Sequence, residues 1–354
     1  MFLAALSFVI LLPLVVMAHE FGHFLFARWQ GIKVLSFSIG FGKPVFKWKD
    51  KHGTEWRIGW LPLGGYVGLY GQSDLPSDPD EADRLLKSLP KSKREGHFEF
   101  KSRLARALAI FGGPLFSYIF GFVVFFFLFL FAGIPSYNTI VKSVEADMPA
   151  KAAGIREGDR IISIAGKPID KRTDMPSIIS GCKCAEFSLV VSRGSEEKEI
   201  KVAPKSGKLG IAYSSAPEGR ESAGIRGAAR EAALDVWFIS SRTAMAIFEI
   251  ITGTRDHKEL GGLVTIAKVG GDALEAGTFQ FIYIIGLISI TLGLFNLFPI
   301  PFLDGGLLLV MAVEAVRRRD FSMRTKTRII TVGFWLVMGL MVLANFNDVS
   351  RLLM

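Results

Sequence analysis

Four stretches of this 354-residue chain carry no Asp, Glu, Lys or Arg: Met1–Ala18, Leu108–Val141, Thr278–Leu303 and Ile329–Asn347. A run of about 18 or more uncharged, mostly apolar residues is long enough for a helix to cross a bilayer. The feature leaves little choice of fold class, because only structures that satisfy their own backbone survive in hydrocarbon. The expectation is a polytopic α-helical membrane protein with about four transmembrane helices, over 1–30, 104–134, 278–317 and 325–347. The third is interrupted by Pro299 and Pro301 and resumes from about Gly306.

The net charge of +9 follows topology rather than nucleic-acid binding. Basic residues gather between the first and second runs, from Lys33 to Arg106, and between the third and fourth, at Arg317, Arg318, Arg319, Arg324, Lys326 and Arg328. The positive-inside rule puts both loops in the cytoplasm, and the termini and the 135–225 segment outside. A bacterial inner membrane is the natural setting. The first run lacks a basic n-region, and its apolar pattern continues through Phe21, Phe24, Leu25 and Phe26, so it reads as a retained span rather than a cleaved signal. Cys182 and Cys184 are too few for a disulfide framework and too close for an unstrained bond. They are expected to be free thiols without a catalytic role.

Between the spans the patterning changes. Residues 31–72 alternate in strand fashion around the turn residues Asp50–Gly53 and read as aromatic-rich hairpins, with Gly40, Gly42, Gly64 and Gly65 as backbone-permissive points. Residues 73–103 form a polar loop with room for a small amphipathic helix. Residues 136–212 read as short strands and a short helix. The run Ala153-Gly-Ile-Arg-Glu-Gly-Asp-Arg-Ile161 resembles that of bacterial protease-linked PDZ domains, and no second copy is present. Residues 224–277 hold amphipathic helices and a connecting segment.

The chemistry concentrates in His19-Glu20-Phe-Gly-His23. On a helix, residues four apart share a face, so His19 and His23 can grip one Zn²⁺ while Glu20 stays free to take a proton from water activated there. Ionisable groups inside an apolar span are costly and are functional far more often than not. A catalytic zinc needs a third protein ligand. His52, His97 and His257 lie outside the spans, which leaves Asp304 and Glu314. Asp304 follows the broken stretch Asn296-Leu-Phe-Pro-Ile-Pro-Phe-Leu303, and irregular backbone at membrane depth belongs to a buried or wet pocket. Asp304 would also serve as an N-cap for the helix that resumes. Glu314 fits an interfacial ion pair near Arg317–Arg319. Asn296 fits either a bond to a neighbouring helix or a contact with an extended substrate backbone.

With these motifs in order, the chain resembles the site-2 protease family of intramembrane metalloproteases over nearly its whole length, and within it the bacterial regulator-of-sigma-E branch. The resemblance rests on His19–His23, Gly40-Phe-Gly42, Leu61-Pro-Leu-Gly-Gly-Tyr66-Val67, Gly113-Pro114, the PDZ insertion and Asn296–Gly306. It implies zinc ligation by His19, His23 and Asp304, with Glu20 as catalytic base. It also implies a substrate site shaped by Asn296, Pro299 and Pro301, and a membrane re-entrant β-loop at 33–71. The active site would lie within the membrane towards the cytoplasm, with the PDZ domain on the periplasmic side. Implied partners are membrane lipid and single-span membrane proteins, such as an anti-sigma factor after a first cut, or remnant signal peptides. The PDZ domain would act as a gate for trimmed substrates or as a peptide sensor. The sequence departs from the family pattern at Leu307, where many relatives have His; at Ser117, in place of Asn; at Gly261-Gly262-Leu263; and in having one PDZ domain rather than a tandem pair. The competing readings are a non-catalytic PDZ scaffold, which would need neither Glu20 nor Asp304, and a metal transporter, against which the lack of inverted repeats speaks.

Overall fold

A computed structural model describes residues 2–137, 139–169, 175, 178–179, 186–194, 196–205, 207–213, 217–256, 259 and 261–353. Cys182, Cys184 and His257 lie outside these. The chain forms two compact units, one of Met1–Leu128 with Arg230–Met354 and one of Phe129–Ala229.

The first unit carries α1 (Phe2–Trp29), β1 (Val34–Lys49), β2 (Glu55–Leu69), the short helices α2 (Pro79–Ser88) and α3 (Lys91–Arg94), and α4, which runs Arg103–Ala132. Among the described residues, four helices are long and apolar enough to cross a membrane, at Phe2–Trp29, Arg103–Ala132, Thr278–Asn296 and Met323–Arg351. They fall where the uncharged runs do. Trp335 and Val332 on the fourth are 68% and 69% exposed, which suits a protein whose solvent is lipid.

In lipid, burying apolar surface drives little helix association, so helices join where small residues let backbones meet. Gly22 on α1 and Gly112 on α4 form such a crossing. A Cβ on Gly22 would lie 2.1 Å from the Gly112 carbonyl oxygen, and one on Gly112 would lie 2.6 Å from the Gly22 oxygen. The register of this contact brings the His19–His23 face of α1 against α4.

The segment between α1 and α4 is a folded hairpin. Val34–Ile39 pairs with Gly65–Leu69 on one side and, from Ser36 to Ile39, with Glu55–Ile58 on the other, while Phe46–Lys49 pairs with Glu55–Ile58. Among the described residues, Gly65–Leu69 is therefore an edge. The bend at Gly40 and Gly42 needs positive φ, +80° and +85°, which glycine adopts without strain. Phe37 packs against Trp56 with their rings tilted by 38° and their centroids 4.6 Å apart. Phe24, Phe37, Leu69 and Ile110 share one buried cluster that fastens the sheet to α1 and α4. At the turn, the Arg28 guanidinium donates to Asp50 Oδ2 at 2.5 Å.

Among its described residues, the second unit holds α5 (Pro149–Ala152) and eight strands. These are β3 (Ile134–Tyr137), β4 (Val141–Val144), β5 (Arg160–Ile164), β6 (Lys167–Pro168), β7 (Phe187–Arg193), β8 (Glu196–Val202), β9 (Ile211–Tyr213) and β10 (Pro217–Glu221). A four-stranded sheet runs β6-β5-β7-β8, with pairs β4–β9 and β3–β10 beside it. Ile155, Ile164, Leu189 and Val191 are at its core. Because β10 pairs with β3, the unit extends past the 136–212 boundary expected from the sequence. Asp159, 1% exposed in its side chain, is held by Arg193 at 2.7 Å.

The chain then forms α6 (Gly224–Ile251), α7 (Leu263–Ala276), α8 (Thr278–Asn296), α9 (Asp304–Arg317) and α10 (Met323–Leu353). Gly270 and Gly271 of α7 lie against Ser7 and Ala4 of α1. Between α8 and α9 the chain breaks at 297–303, where Pro299 and Pro301 have no N–H to continue a helix and Phe302 takes φ +146°. Strain of this kind at a non-glycine residue gathers at functional sites.

Two expectations need correction. Asp304 is not the N-cap of α9: Leu303 holds that position, with no side-chain cap bond, and Asp304 is the first helical residue. Its carboxylate is therefore free for another task. Glu314 is fully buried. It accepts from the Phe321 N–H at 2.8 Å and faces Lys326 at 3.5 Å, so the expected ion pair forms with α10.

Candidate metal centre

His19 and His23 project from one face of α1 towards the start of α9. His19 Nε2 lies 3.2 Å from Asp304 Oδ2, His23 Nε2 lies 3.4 Å from the same oxygen, and the two Nε2 atoms are 3.3 Å apart. This is a near-equilateral triangle. Three corners of a tetrahedron around zinc, with bonds of about 2.0–2.1 Å, are about 3.3–3.4 Å apart. The spacing therefore fits three ligands with a fourth position open.

The hydrogen bonds behind the triangle give the same answer. His23 Nδ1 faces the Ala109 carbonyl at 3.0 Å. A carbonyl only accepts, so Nδ1 carries the proton and a neutral ring turns its Nε2 lone pair into the triangle. His19 Nδ1 lies 2.9 Å from Ser117 Oγ, and Ser289 Oγ donates to the Ser117 carbonyl at 2.9 Å. Asp304 Oδ2 is buried without a hydrogen-bond partner. Lone pairs converging on one buried point repel each other unless a cation lies among them. The donor set, two imidazoles and a carboxylate, suits zinc.

A cavity of about 280 Å³ opens beside the triangle, lined by Glu20, Gly65, Tyr66, Val67 and Asn296 among others. Glu20 is thus in the pocket without belonging to the triangle. Gly65 stands over it: a Cβ there would lie 3.2 Å from Glu20 Cγ. Asn296 lines the pocket, and its amide donates to the Leu292 carbonyl of its own helix at 3.0 Å rather than to a neighbouring helix. Gly40, Gly42 and Gly64 shape the hairpin away from the pocket wall. Pro299 and Pro301 form the loop that delivers Asp304.

Two residues were not assigned roles from sequence. Ser117, fully buried, orients His19; the sequence marks it as a hydroxyl in an apolar run, in the place where the family pattern has Asn. Gly113 lies under His23, where a Cβ would stand 2.2 Å from Nε2.

Similarity to known proteins runs the length of the chain. The model for peptidase family M50 matches residues 7–340. A Mesorhizobium japonicum protein named as a zinc metalloprotease is 34% identical over 98% of this chain and 99% of its own. One from Rhizobium meliloti is 32% identical over 98% and 96%. The metalloprotease MmpA of Caulobacter vibrioides is 30% identical over 98% and 95%. Matched over nearly its whole length, with His19, His23, Asp304 and Glu20 gathered beside one pocket, this chain belongs to peptidase family M50 and is a membrane zinc metalloprotease.

Proposed function

We propose that the protein hydrolyses peptide bonds within the transmembrane segments of single-span membrane proteins, as a site-2 protease, with His19, His23 and Asp304 as the zinc ligands and Glu20 as the catalytic base. The observation that carries this is the triangle that His19 and His23 of α1, an apolar helix long enough to span, make with Asp304 at the start of α9, with Glu20 one residue from His19. Bound there, zinc supplies a Lewis acid that makes water more acidic and polarises a carbonyl. Glu20 takes a proton from the attacking water as the new C–O bond forms, and passes it to the amide nitrogen as the C–N bond breaks. Ser117 and the Ala109 carbonyl hold the two imidazoles in register.

A helical substrate hides its peptide bonds, so it must be opened first. The Gly65–Leu69 edge borders the pocket and offers unpaired backbone groups, to which an unwound segment adds as a strand. The absence of a side chain at Gly65 lets this strand pack directly on Val16 and Glu20, which sets the edge close to the catalytic base. Asn296 lies in the same wall, within the reach of such a backbone.

The second unit is proposed to be a PDZ domain on the periplasmic side of a bacterial inner membrane, admitting substrates already shortened by a first protease. The support is its four-stranded sheet with the Gly154–Ile161 run, and the basic loops that mark the opposite side as cytoplasmic. Anti-sigma-factor-like regulators and remnant signal peptides have the required form, one span with a small external end.

The test is cleavage of a trimmed single-span substrate by the purified protein and by Glu20→Gln, with zinc assayed in both. Cleavage by the first alone, with about one zinc in each, supports the reading. Equal cleavage by the variant removes Glu20 from its role.

A further inference from the structure

A second cavity, of about 390 Å³, lies where α4 and α10 begin and α9 ends. It adjoins the metal pocket, since Gln72, Ile110 and Leu307 line both. The edge strand leads from one to the other. Gly65, Tyr66, Val67 and Leu69 border the metal pocket; Gly71, Gln72 and Leu75, next along the chain, border the second cavity.

Its wall is mainly apolar, with Phe98, Val310, Met311 and Ile330 among its members, and four charged side chains are set into it. Arg106 donates to Glu99 at 3.0 Å. Lys326 lies 3.2 Å from Glu99 and 3.5 Å from Glu314. These pairs are incomplete. Arg106 Nε, a donor, and Glu314 Oε2, an acceptor, remain buried without hydrogen-bond partners, in side chains 3% and 1% exposed. The metal chemistry uses neither residue.

One free donor and one free acceptor are the complement of a peptide group, which offers a C=O and an N–H. Opening a helix for cutting releases such groups where little water is available to satisfy them. We infer that this cavity is a subsite for the unwound flank of the substrate on the side of the basic loops. There Arg106 Nε donates to a substrate carbonyl, Glu314 Oε2 accepts a substrate N–H, and the apolar wall takes the adjoining side chains. The ligand is an extended, apolar peptide segment continuous with the scissile bond. The inference rests on the proteolytic reading and adds to it where the substrate goes next.

Disulfide trapping tests it in the full-length Glu20→Gln protein, with Cys182 and Cys184 changed to Ser. Single cysteines are placed at Leu75 and Thr327, both in the cavity wall, and at exposed Trp335, outside both cavities, as control. A single-span substrate carries cysteines at successive positions on each side of its cut bond. Leu75→Cys and Thr327→Cys should each trap substrate at least five-fold above Trp335→Cys, and on one flank only. Trapping at control level, or equally on both flanks, overturns the subsite. In the active protein, Leu75→Trp should raise KM at least five-fold with little change in kcat. A fall in kcat at constant KM would instead mark damage to the metal site and count against the inference. If the unmodified protein does not cut the substrate at all, the proteolytic reading for such substrates fails first, and the subsite with it.

Discussion

Replacing Gly113 by alanine should cost this protein its zinc. Two effects compete. In a helix interior, alanine is favoured over glycine by about 1 kcal/mol, so in open space the change would stabilise α4. Gly113 is not in open space. Its added Cβ would lie 2.2 Å from His23 Nε2, 2.5 Å from Cε1 and 2.8 Å from Cδ2, where ordinary contact begins at 3.4 Å. The ring must retreat by 3.4 − 2.2 = 1.2 Å, or the helices must part. They are already in backbone contact one residue away, through Gly112 and Gly22. Overpacking of this kind costs about 1–3 kcal/mol, which outweighs the helix gain. Metal–ligand distances tolerate about 0.2 Å, so a displacement of 1.2 Å removes His23 from the coordination sphere. Zinc affinity should fall at least about 100-fold, beyond what loss of an orienting hydrogen bond would do. The assay is zinc per protein by mass spectrometry across a chelator series, with circular dichroism to confirm that the helices persist. A Gly113→Ala protein that keeps one zinc at an affinity within three-fold of the parent would refute the packing argument.

Ser117→Ala should weaken zinc binding by about 10–100-fold by releasing the His19 ring, read in the same chelator series; unchanged affinity would show that the helix alone orients His19. Removing zinc with phenanthroline should stop proteolysis reversibly while α1 and α4 stay paired, since backbone packing at Gly22 and Gly112 joins them; loss of protection at that crossing in hydrogen exchange would contradict this. Asp159→Asn should destabilise the second unit by roughly 1–3 kcal/mol, as it breaks a buried charged hydrogen bond to Arg193. Burial would raise the Asp159 carboxyl, yet the Arg193 guanidinium and the Arg156 N–H hold it below the usual carboxylate range. Its contribution is thus full above the unfolded value of about 4 and drains away as pH falls through the lower folded one. Exchange protection of β7 should therefore fall below about pH 4 in the parent, and a variant with the same acid dependence would remove Asp159 as its source.

Much of this architecture was legible in local pattern. The four spans follow from uncharged runs, because a bilayer excludes charge whatever the neighbouring helices do. His19, Glu20 and His23 follow from helical spacing, since residues four apart share a face in any α-helix. The break before Asp304 follows from Pro299 and Pro301, which remove backbone donors locally. The hairpin at 31–72 follows from alternation and the Asp50–Gly53 turn.

The remainder needed contacts between residues distant in the chain. Periodicity offered Asp304 both as a ligand and as a cap. The position of Leu303 as N-cap removes the second role, and the Asp304 oxygen lies beside two imidazoles. Glu314 was assigned to the nearest basic run, but packing buried it and turned it towards Lys326. Ser117 and Gly113 take part in family-like motifs, but local pattern assigns neither of them a role. A serine and a glycine in an apolar helix gain their meaning from which face meets α1, and the Gly22–Gly112 crossing sets that face. The sequence by itself determined which segments enter the membrane and which residue types could hold a metal. Only the tertiary structure decided how those residues meet, because helix register and side-chain approach are properties of packed pairs rather than of any one segment.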